Sequence, residues 1–190
     1  MSENVIEQNY FNACLVLDIL EFTPPSKYIK LKSHLKRALP YVFTSIVFPL
    51  SILVTINFWA IYSNYPRVID EDNVTESYFP SWVNHGLHSS ILLLTVVEKF
   101  LVYRPYPARM SAFLGFSTVL TMYWSTCTVL YFIGGVWPYP LVSLMTTWQV
   151  LLYVYVNIIL GCAIIRLGES LNNKIWGKKL SNEIDAKKAT

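Results

Sequence analysis

Four long apolar stretches constrain the fold of this chain more than any other feature of its sequence. They run from Ala38 to Ser63, Ser81 to Val102, Ala108 to Ile133 and Tyr139 to Leu167. A helix rises about 1.5 Å per residue and a bilayer core is about 30 Å thick, so each stretch can cross a membrane. With 54% hydrophobic residues and a mean hydropathy of +0.40, the chain is too apolar for an ordinary soluble domain.

A fifth segment, Val5 to Phe22, is shorter and more polar than the other four. The polar side chains that interrupt it are Glu7, Gln8, Asn9, Asn12 and Asp18. Such a segment suits either a spanning helix inside a bundle or an amphipathic helix at the interface. We favour a spanning helix, because it agrees with the charge distribution described next. The sequence therefore predicts an all-α, polytopic membrane bundle of about five spans.

Basic residues are concentrated at one end of the predicted spans. Of the 15 lysines and arginines, 14 lie in or beside the loops 22–39 and 103–110 or in the C-terminal part of the chain. Arg67 alone falls at the opposite end, among acidic residues. The positive-inside rule then places the basic loops and the C-terminus in the cytosol, with Asn64–Pro80 and Gly134–Pro138 outside or lumenal. The acidic N-terminus is lumenal if the first segment spans.

Two short motifs agree with this orientation. Asn73-Val74-Thr75 is a glycosylation sequon, which is used only in the lumen. Lys187-Lys188-Ala189-Thr190 has the arrangement of a dilysine retrieval signal of the endoplasmic reticulum, although a solvated basic tail near anionic lipid explains it equally well. We expect an endomembrane protein, with the endoplasmic reticulum favoured and the plasma membrane as the alternative. Residues 1–177 are predicted to form the membrane domain and residues 178–190 a disordered cytosolic tail.

Two histidines enter the third predicted span, where polar groups are costly and usually mark a functional site. His85 and His88 are three residues apart, and Asn84 and His88 are four apart, so all three can share one helical face. The alternative is that both histidines anchor the helix in the headgroup layer and bond to water. The segment is the strongest candidate for a site in this sequence.

Metal chemistry is disfavoured by the small number of ligands. The chain has only one further histidine, His34, which lies in a basic loop at the other end of the spans. The cysteines fall inside apolar segments and are predicted to be packing residues; they are Cys14, Cys127 and Cys162. A single imidazole that serves a Ser or Thr hydroxyl as general base fits better. No nucleic-acid module is present, and the basic surplus is explained by membrane orientation.

Other polar side chains in the spans favour structural roles. Asn57 and Asn157 are costly to bury and are expected to bridge helices rather than bind substrate. Glu98 and Lys99 lie near the cytosolic end of the third span, where they can reach the interface. We therefore predict that neither of them is catalytic.

Blocks distributed over most of the chain resemble the androgen-induced family of multipass membrane proteins. In family order they are Phe48-Pro49, Phe58 to Tyr62, Pro80 to His88, Tyr106 to Arg109, Gly135 to Pro140 and Leu167 to Gly177. The resemblance implies an intramembrane hydrolase that splits fatty acid esters of hydroxy fatty acids. It also implies a threonine nucleophile with a histidine partner, no metal or other cofactor, and membrane lipids and a lipid ester as the binding partners.

The resemblance assigns the catalytic role to His88, the second histidine of an Asn-His-x-x-His motif. The family's threonine lies a few residues before an Asn and a Gln that look like Asn4 and Gln8, which puts the nucleophile at Met1. In this register the family's first membrane segment and its threonine are missing. A shortened isoform, an incomplete gene prediction or a divergent member would all give this pattern. Catalytic activity of the chain as printed is therefore an open question.

The implied mechanism is attack of a hydroxyl on the ester carbonyl, with His88 taking the proton and later protonating the leaving alkoxide. Asn84 or His85 is expected to orient His88 or to donate to the oxyanion. The alternative function is that of a non-catalytic membrane adaptor or lipid-binding protein on the same scaffold.

Overall fold

The computed structural model describes residues 2–22, 28–64, 81–135 and 137–188, and within them it contains helices and no strand. The helices are α1 (Ser2–Glu21), α2 (Ile29–Val42), α3 (Phe48–Asn64), α4 (Ser81–His88), α5 (Ser90–Leu101), α6 (Arg109–Gly134), α7 (Pro140–Ser143) and α8 (Thr147–Lys188). A π-helical turn, Phe43–Val47, joins α2 to α3. The predicted all-α class is confirmed.

Three helical segments in the described residues are long and apolar enough to cross a membrane. They are Ile29–Asn64, Arg109–Gly134 and Thr147–Gly177. Many large apolar side chains on these helices are exposed, for example Phe132 and Trp148 at 80% and 81%. Surfaces of this kind are stable when lipid covers them. The chain is therefore an all-α membrane bundle, and about five spans fit its helices.

The other two predicted spans differ from these three. The third span, expected as one helix from Ser81 to Val102, is interrupted at Ser89 and forms α4 and α5. The first, α1, packs against α2 and the π turn rather than along α3. Its carboxylates make it more polar than the three long helices, and its crossing of the membrane stays a prediction.

The junction of α2 and α3 is the centre of the first hydrophobic core. Pro40 lacks an N–H and disturbs the helical hydrogen-bond ladder, and the π turn follows directly. Thr44 donates its hydroxyl proton to the Pro40 carbonyl at 2.8 Å, so the backbone oxygen stays paired. Phe43 and Phe48 are buried here against Tyr10 of α1. This core thus packs α1 against the π-helical turn between α2 and α3.

The second core joins α3, α6 and α8. Its buried members are Leu53, Ala112, Phe116, Leu120 and Ile165. The predicted bridge between helices is confirmed: the Asn57 amide donates to the Asn157 side-chain oxygen at 2.7 Å, and Asn157 donates in turn to the Tyr153 carbonyl.

The last predicted span begins later than expected. Instead of one helix from Tyr139, the structure has the short α7, a turn, and then α8 from Thr147. Thr146 caps the start of α8 with Gln149, whose side-chain oxygen accepts both the backbone N–H and the hydroxyl proton of Thr146, which is one half of a capping box.

The C-terminal segment also differs from expectation. We expected a disordered tail from residue 178, whereas α8 continues to Lys188. Residues 178–188 contain four Lys and one each of Leu, Glu and Ala, so seven of the eleven are good helix formers, and no Gly or Pro interrupts them. The division of the chain at residue 177 and the cytosolic position of the tail stay predictions. The sequon at Asn73 lies outside the described residues.

Candidate site where α4 packs against α3

The two candidate histidines are positioned by an aromatic block on α3. The His88 ring stacks on Phe58, with ring centroids 3.7 Å apart and planes 11° apart. The His85 ring lies over Trp59, with centroids 4.6 Å apart. Phe58 also stacks on Tyr62, one helical turn away. The block Phe58 to Tyr62 on α3 therefore packs directly against the block that carries His85 and His88.

The Nδ1 atom of His88 is buried and has no hydrogen-bond partner within the part of the chain that the structure describes. A buried polar atom without a partner costs roughly 1–3 kcal/mol, and in native proteins it calls for an explanation such as a functional role. The ring itself is held in place by Phe58. One ring nitrogen of a positioned imidazole is thus left without a hydrogen bond in the described residues.

The break between α4 and α5 is stabilised by side-chain hydroxyls. The Thr55 hydroxyl of α3 shares its single proton between the His88 carbonyl at 2.7 Å and the Ser51 carbonyl of its own helix at 2.8 Å. The Ser90 hydroxyl donates to the Gly86 carbonyl across the break. Backbone carbonyls inside a membrane must be paired, and irregular helices in membranes are found where they line a site. The Thr55 contact therefore holds the backbone of His88 against α3, and the irregularity is confined to Ser89, whose N–H still donates to the His85 carbonyl.

Ser89, at the break itself, connects the side chains of Trp59 and His85. Its hydroxyl oxygen accepts a hydrogen bond from the Trp59 indole N–H at 3.1 Å and lies 3.3 Å from Nδ1 of His85. The spacing of His85 and His88 predicts that they share one helical face, with His85 orienting His88 or donating to the oxyanion. In the structure each ring packs on a different aromatic residue of α3, and the described contacts of His85 are with Trp59 and Ser89. Its orienting role stays a prediction, and the Asn84 side chain and Met1 lie outside the described residues.

The distance of His88 from the start of α4 follows from the helix geometry. His88 is seven residues beyond Ser81, where α4 begins, which corresponds to about 10 Å along the helix axis. The neighbouring surface includes Leu87, Leu93 and Leu94, all exposed. The site therefore lies beside an exposed apolar surface.

A polar cluster at the opposite end of α5 was not predicted. Lys99 is 2% exposed, so it does not reach the interface as we expected. Its ammonium donates to the Tyr106 hydroxyl and to the Asn172 side-chain oxygen, both at 3.1 Å, and lies over the Tyr106 ring. Burial raises the pKa of the Tyr106 hydroxyl well above its usual value, so this group stays neutral and accepts the bond.

Glu98 and the loop after α5 form a second part of this polar end. The Glu98 carboxylate is paired with Arg104 at 2.6 Å and accepts the Tyr10 hydroxyl proton at 3.0 Å. Arg109, the first residue of α6 after this loop, pairs with Glu169 of α8 at 2.9 Å. Both ion pairs tie the loop to neighbouring helices. The sequence could not predict this cluster, because Glu98 and Lys99 have partners on distant helices.

No group of three or more His, Cys, Asp or Glu side chains within residues 2–22, 28–64, 81–135 and 137–188 is arranged to hold a metal ion. In the described chain the candidate site therefore consists of imidazole, hydroxyl, indole and phenyl groups. These groups can take part in proton transfer, hydrogen bonding and packing against an apolar ligand.

Comparison with known proteins adds the family. The family model described as FAR-17a/AIG1-like protein matches residues 2–173. The chain is 26% identical over 188 residues to the androgen-induced gene 1 protein of Homo sapiens, covering 97% of this chain and 79% of that protein. It is 29% identical over 175 residues to the androgen-dependent TFPI-regulating protein of Homo sapiens, covering 92% and 74%. The rat protein of the same name (Rattus norvegicus) is 27% identical over 178 residues, covering 91% and 74%.

No solved structure matches the chain. The family match, however, runs from α1 to residue 173, nearly two thirds of the way along α8, and includes every residue of the candidate site. The chain therefore belongs to the FAR-17a/AIG1-like protein family.

Proposed function

We propose that this chain is a membrane-embedded lipid-ester hydrolase in which His88 is the general base. The observation that carries the proposal is the buried Nδ1 atom of His88, which has no partner among the described residues, on a ring held against Phe58. A general base needs a free ring nitrogen in a fixed direction. The resemblance to the androgen-induced family supplies the reaction class, hydrolysis of fatty acid esters of hydroxy fatty acids.

The proposed reaction has two steps. A hydroxyl oxygen attacks the ester carbonyl while His88 takes the hydroxyl proton, and the tetrahedral intermediate then expels the hydroxy fatty acid, whose alkoxide His88 protonates. Water, activated by the same imidazole, releases the acyl chain from the hydroxyl. The resemblance places the attacking threonine at the position of Met1. No metal or other cofactor is required by this scheme.

The location of the site supports an apolar substrate. Exposed leucines surround the break between α4 and α5, and an ester with two long chains partitions into the bilayer. The charge distribution supports a site on the lumenal side and a cytosolic C-terminus, and the dilysine motif supports the endoplasmic reticulum. The proposed setting is thus hydrolysis of membrane-dissolved esters in the endomembrane system.

One observation favours a second candidate function, a non-catalytic lipid-binding protein or membrane adaptor. In the described part of the chain no hydroxyl is hydrogen-bonded to Nδ1 of His88. Without a nucleophile, the exposed leucines beside His88 would still offer an apolar surface to a lipid. The two functions share the scaffold and differ only in turnover.

A labelled ester of a hydroxy fatty acid, added to membranes of cells that express the protein, separates the two functions. We compare this chain with an extended form that carries the family's first span and a threonine at the position of Met1, and we expect the extended form to release hydroxy fatty acid with turnover. An active-site probe for serine and threonine hydrolases should label the extended form on that threonine. Binding of the ester without product or probe labelling in either form would support the non-catalytic function instead.

A further inference from the structure

The helical hairpin formed by the end of α1 and the start of α2 extends beyond the membrane core. The continuous helix Ile29–Asn64 has 36 residues. At about 1.5 Å per residue it measures about 54 Å, against a hydrocarbon core of about 30 Å. The excess lies at its first turns, because Lys30, Lys36 and Arg37 are there and charged groups avoid the core.

The end of α1 accompanies these turns outside the core. The two carboxylate oxygens of Glu21 bind Lys32 at 2.6 Å and Lys36 at 2.7 Å. The tip nevertheless exposes large apolar side chains, with Phe22 at 93% and Ile29 at 61%. A surface that combines exposed apolar groups with a row of cations is typical of segments that lie in the headgroup layer.

One face of α2 carries a shallow groove of about 440 Å³. The residues that line it are spaced by one helical turn; they are Ile29, Lys32, Ser33, Lys36 and Arg37. Lys32 and Lys36 share the single carboxylate of Glu21, so three cations face one anion. In the described residues Arg37 has no ion pair and no hydrogen bond. The groove therefore offers the positive charge of Arg37, left unpaired by the described residues, together with the hydroxyl of Ser33 and the apolar side chain of Ile29.

We propose that this groove binds the phosphate headgroup of an anionic phospholipid in the leaflet at the basic end of the bundle. A guanidinium matches phosphate oxygens in geometry and charge, and the Ser33 hydroxyl adds a donor. Ile29 at the other end of the groove offers contact to the apolar part of the lipid. Anionic lipids are concentrated in the cytosolic leaflet, where the charge pattern predicts this end to lie.

The test is native mass spectrometry of the purified full chain in neutral detergent, titrated with dioleoylphosphatidylserine or dioleoylphosphatidylcholine. The wild type should bind the serine lipid preferentially. Arg37→Glu should weaken that binding about 25-fold, because each unit of charge at a membrane surface contributes about a factor of five. Arg37→Gln should weaken it about fivefold, and Arg37→Lys should retain most of it.

Lys30→Glu is the matched control, because it makes the same charge change on the same helix at a residue that does not line the groove. It should change the affinity by less than about threefold, since its charge is not directed at the bound phosphate. Equal weakening by both reversals would overturn the proposal in favour of diffuse attraction. Unchanged affinity in the Arg37 variants would overturn it as well. Complete competition by glycerol phosphate would mean that the groove takes a free phosphate compound rather than a lipid.

Discussion

At the residue scale, the three histidines of this chain differ in what surrounds their rings. His34 is exposed on α2, and His85 is exposed beside Trp59 and Ser89. His88 is the one whose ring nitrogen is buried without a partner in the described residues. The sequence alone predicted the pair His85 and His88, because polar groups in an apolar segment are conspicuous. It could not tell which ring has a free nitrogen, because the rings pack on residues of another helix.

The Ser89 hydroxyl is the nearest described hydroxyl to a histidine nitrogen, and it offers a test of whether a second nucleophile is present. We predict that Ser89→Ala leaves the hydrolysis rate of the extended form within about threefold, because the Ser89 contact is with His85 and not with the proposed base His88. The measurement is product release per mole of protein. A loss of activity as large as that expected for His88→Ala would identify Ser89 as the attacking group.

The pair Asn57 and Asn157 also belongs to this scale. A direct amide bond of 2.7 Å between two helices predicts a measurable coupling. We expect a double-mutant cycle with alanine at both positions to give a coupling free energy of about 0.6–1.7 kcal/mol, the range found for polar pairs in membrane helices. Unfolding in a detergent and denaturant series provides the measurement, and additive single effects would contradict the predicted bridge.

At the element scale, hydropathy predicted where helices occur but not where they are interrupted. Ser89 and Thr146 are small polar residues in apolar surroundings, and such residues are also found inside unbroken membrane helices. The break at Ser89 depends on Thr55 of α3, and the start of α8 depends on Gln149, three residues later. The capping pattern at Thr146 was thus readable from the sequence, whereas the Thr55 contact was not.

The position of Lys99 also depends on contacts that the sequence does not reveal. A lysine near the end of a predicted span is expected to extend to the interface, as lysines commonly do. In the structure its partners come from the loop after α5 and from α8, 73 residues away in the case of Asn172. The expectation that Lys99 reaches the interface was wrong, because Tyr106 and Asn172 accept the hydrogen bonds that water would otherwise accept.

Gly168 of α8 provides a prediction about helix packing. A Cβ atom at this position would collide with the Tyr106 hydroxyl and the Phe48 ring, whereas at Gly177 in the same helix it would meet open space. We expect Gly168→Ala to destabilise the protein by about 1–3 kcal/mol through overpacking. Gly177→Ala should be neutral or slightly stabilising, since alanine favours helix over glycine. Equal thermal stabilities of the two variants would contradict the packing described here.

At the scale of the whole molecule, the 14 basic residues at one end of the predicted spans predict the orientation. We predict that a tag after Thr190 is accessible to antibody once the plasma membrane alone is permeabilised. A tag beside Asp72 should stay hidden until the internal membrane is opened, and Asn73 should then be available for glycosylation. Reversed accessibility would contradict both the orientation and the use of the sequon.

The dilysine motif gives a prediction about location. Replacing Lys187 and Lys188 with Ser should shift the protein from the endoplasmic reticulum towards later compartments, because a retrieval signal would be lost. Lys178→Ser with Lys179→Ser removes the same charge from the same helix and should leave the distribution unchanged. If all three proteins are distributed alike, the terminal lysines are ordinary surface charge.

The central claim is that His88 is the general base of a lipid-ester hydrolase, and its most direct test is the rate of ester hydrolysis by the purified extended form. His88→Ala should lower the turnover number about 10²- to 10⁴-fold, the usual contribution of a positioned general base. His34→Ala, a histidine at the basic end of the bundle, is the control and should retain full activity. Hydrolysis that is indifferent to His88→Ala would contradict the mechanism.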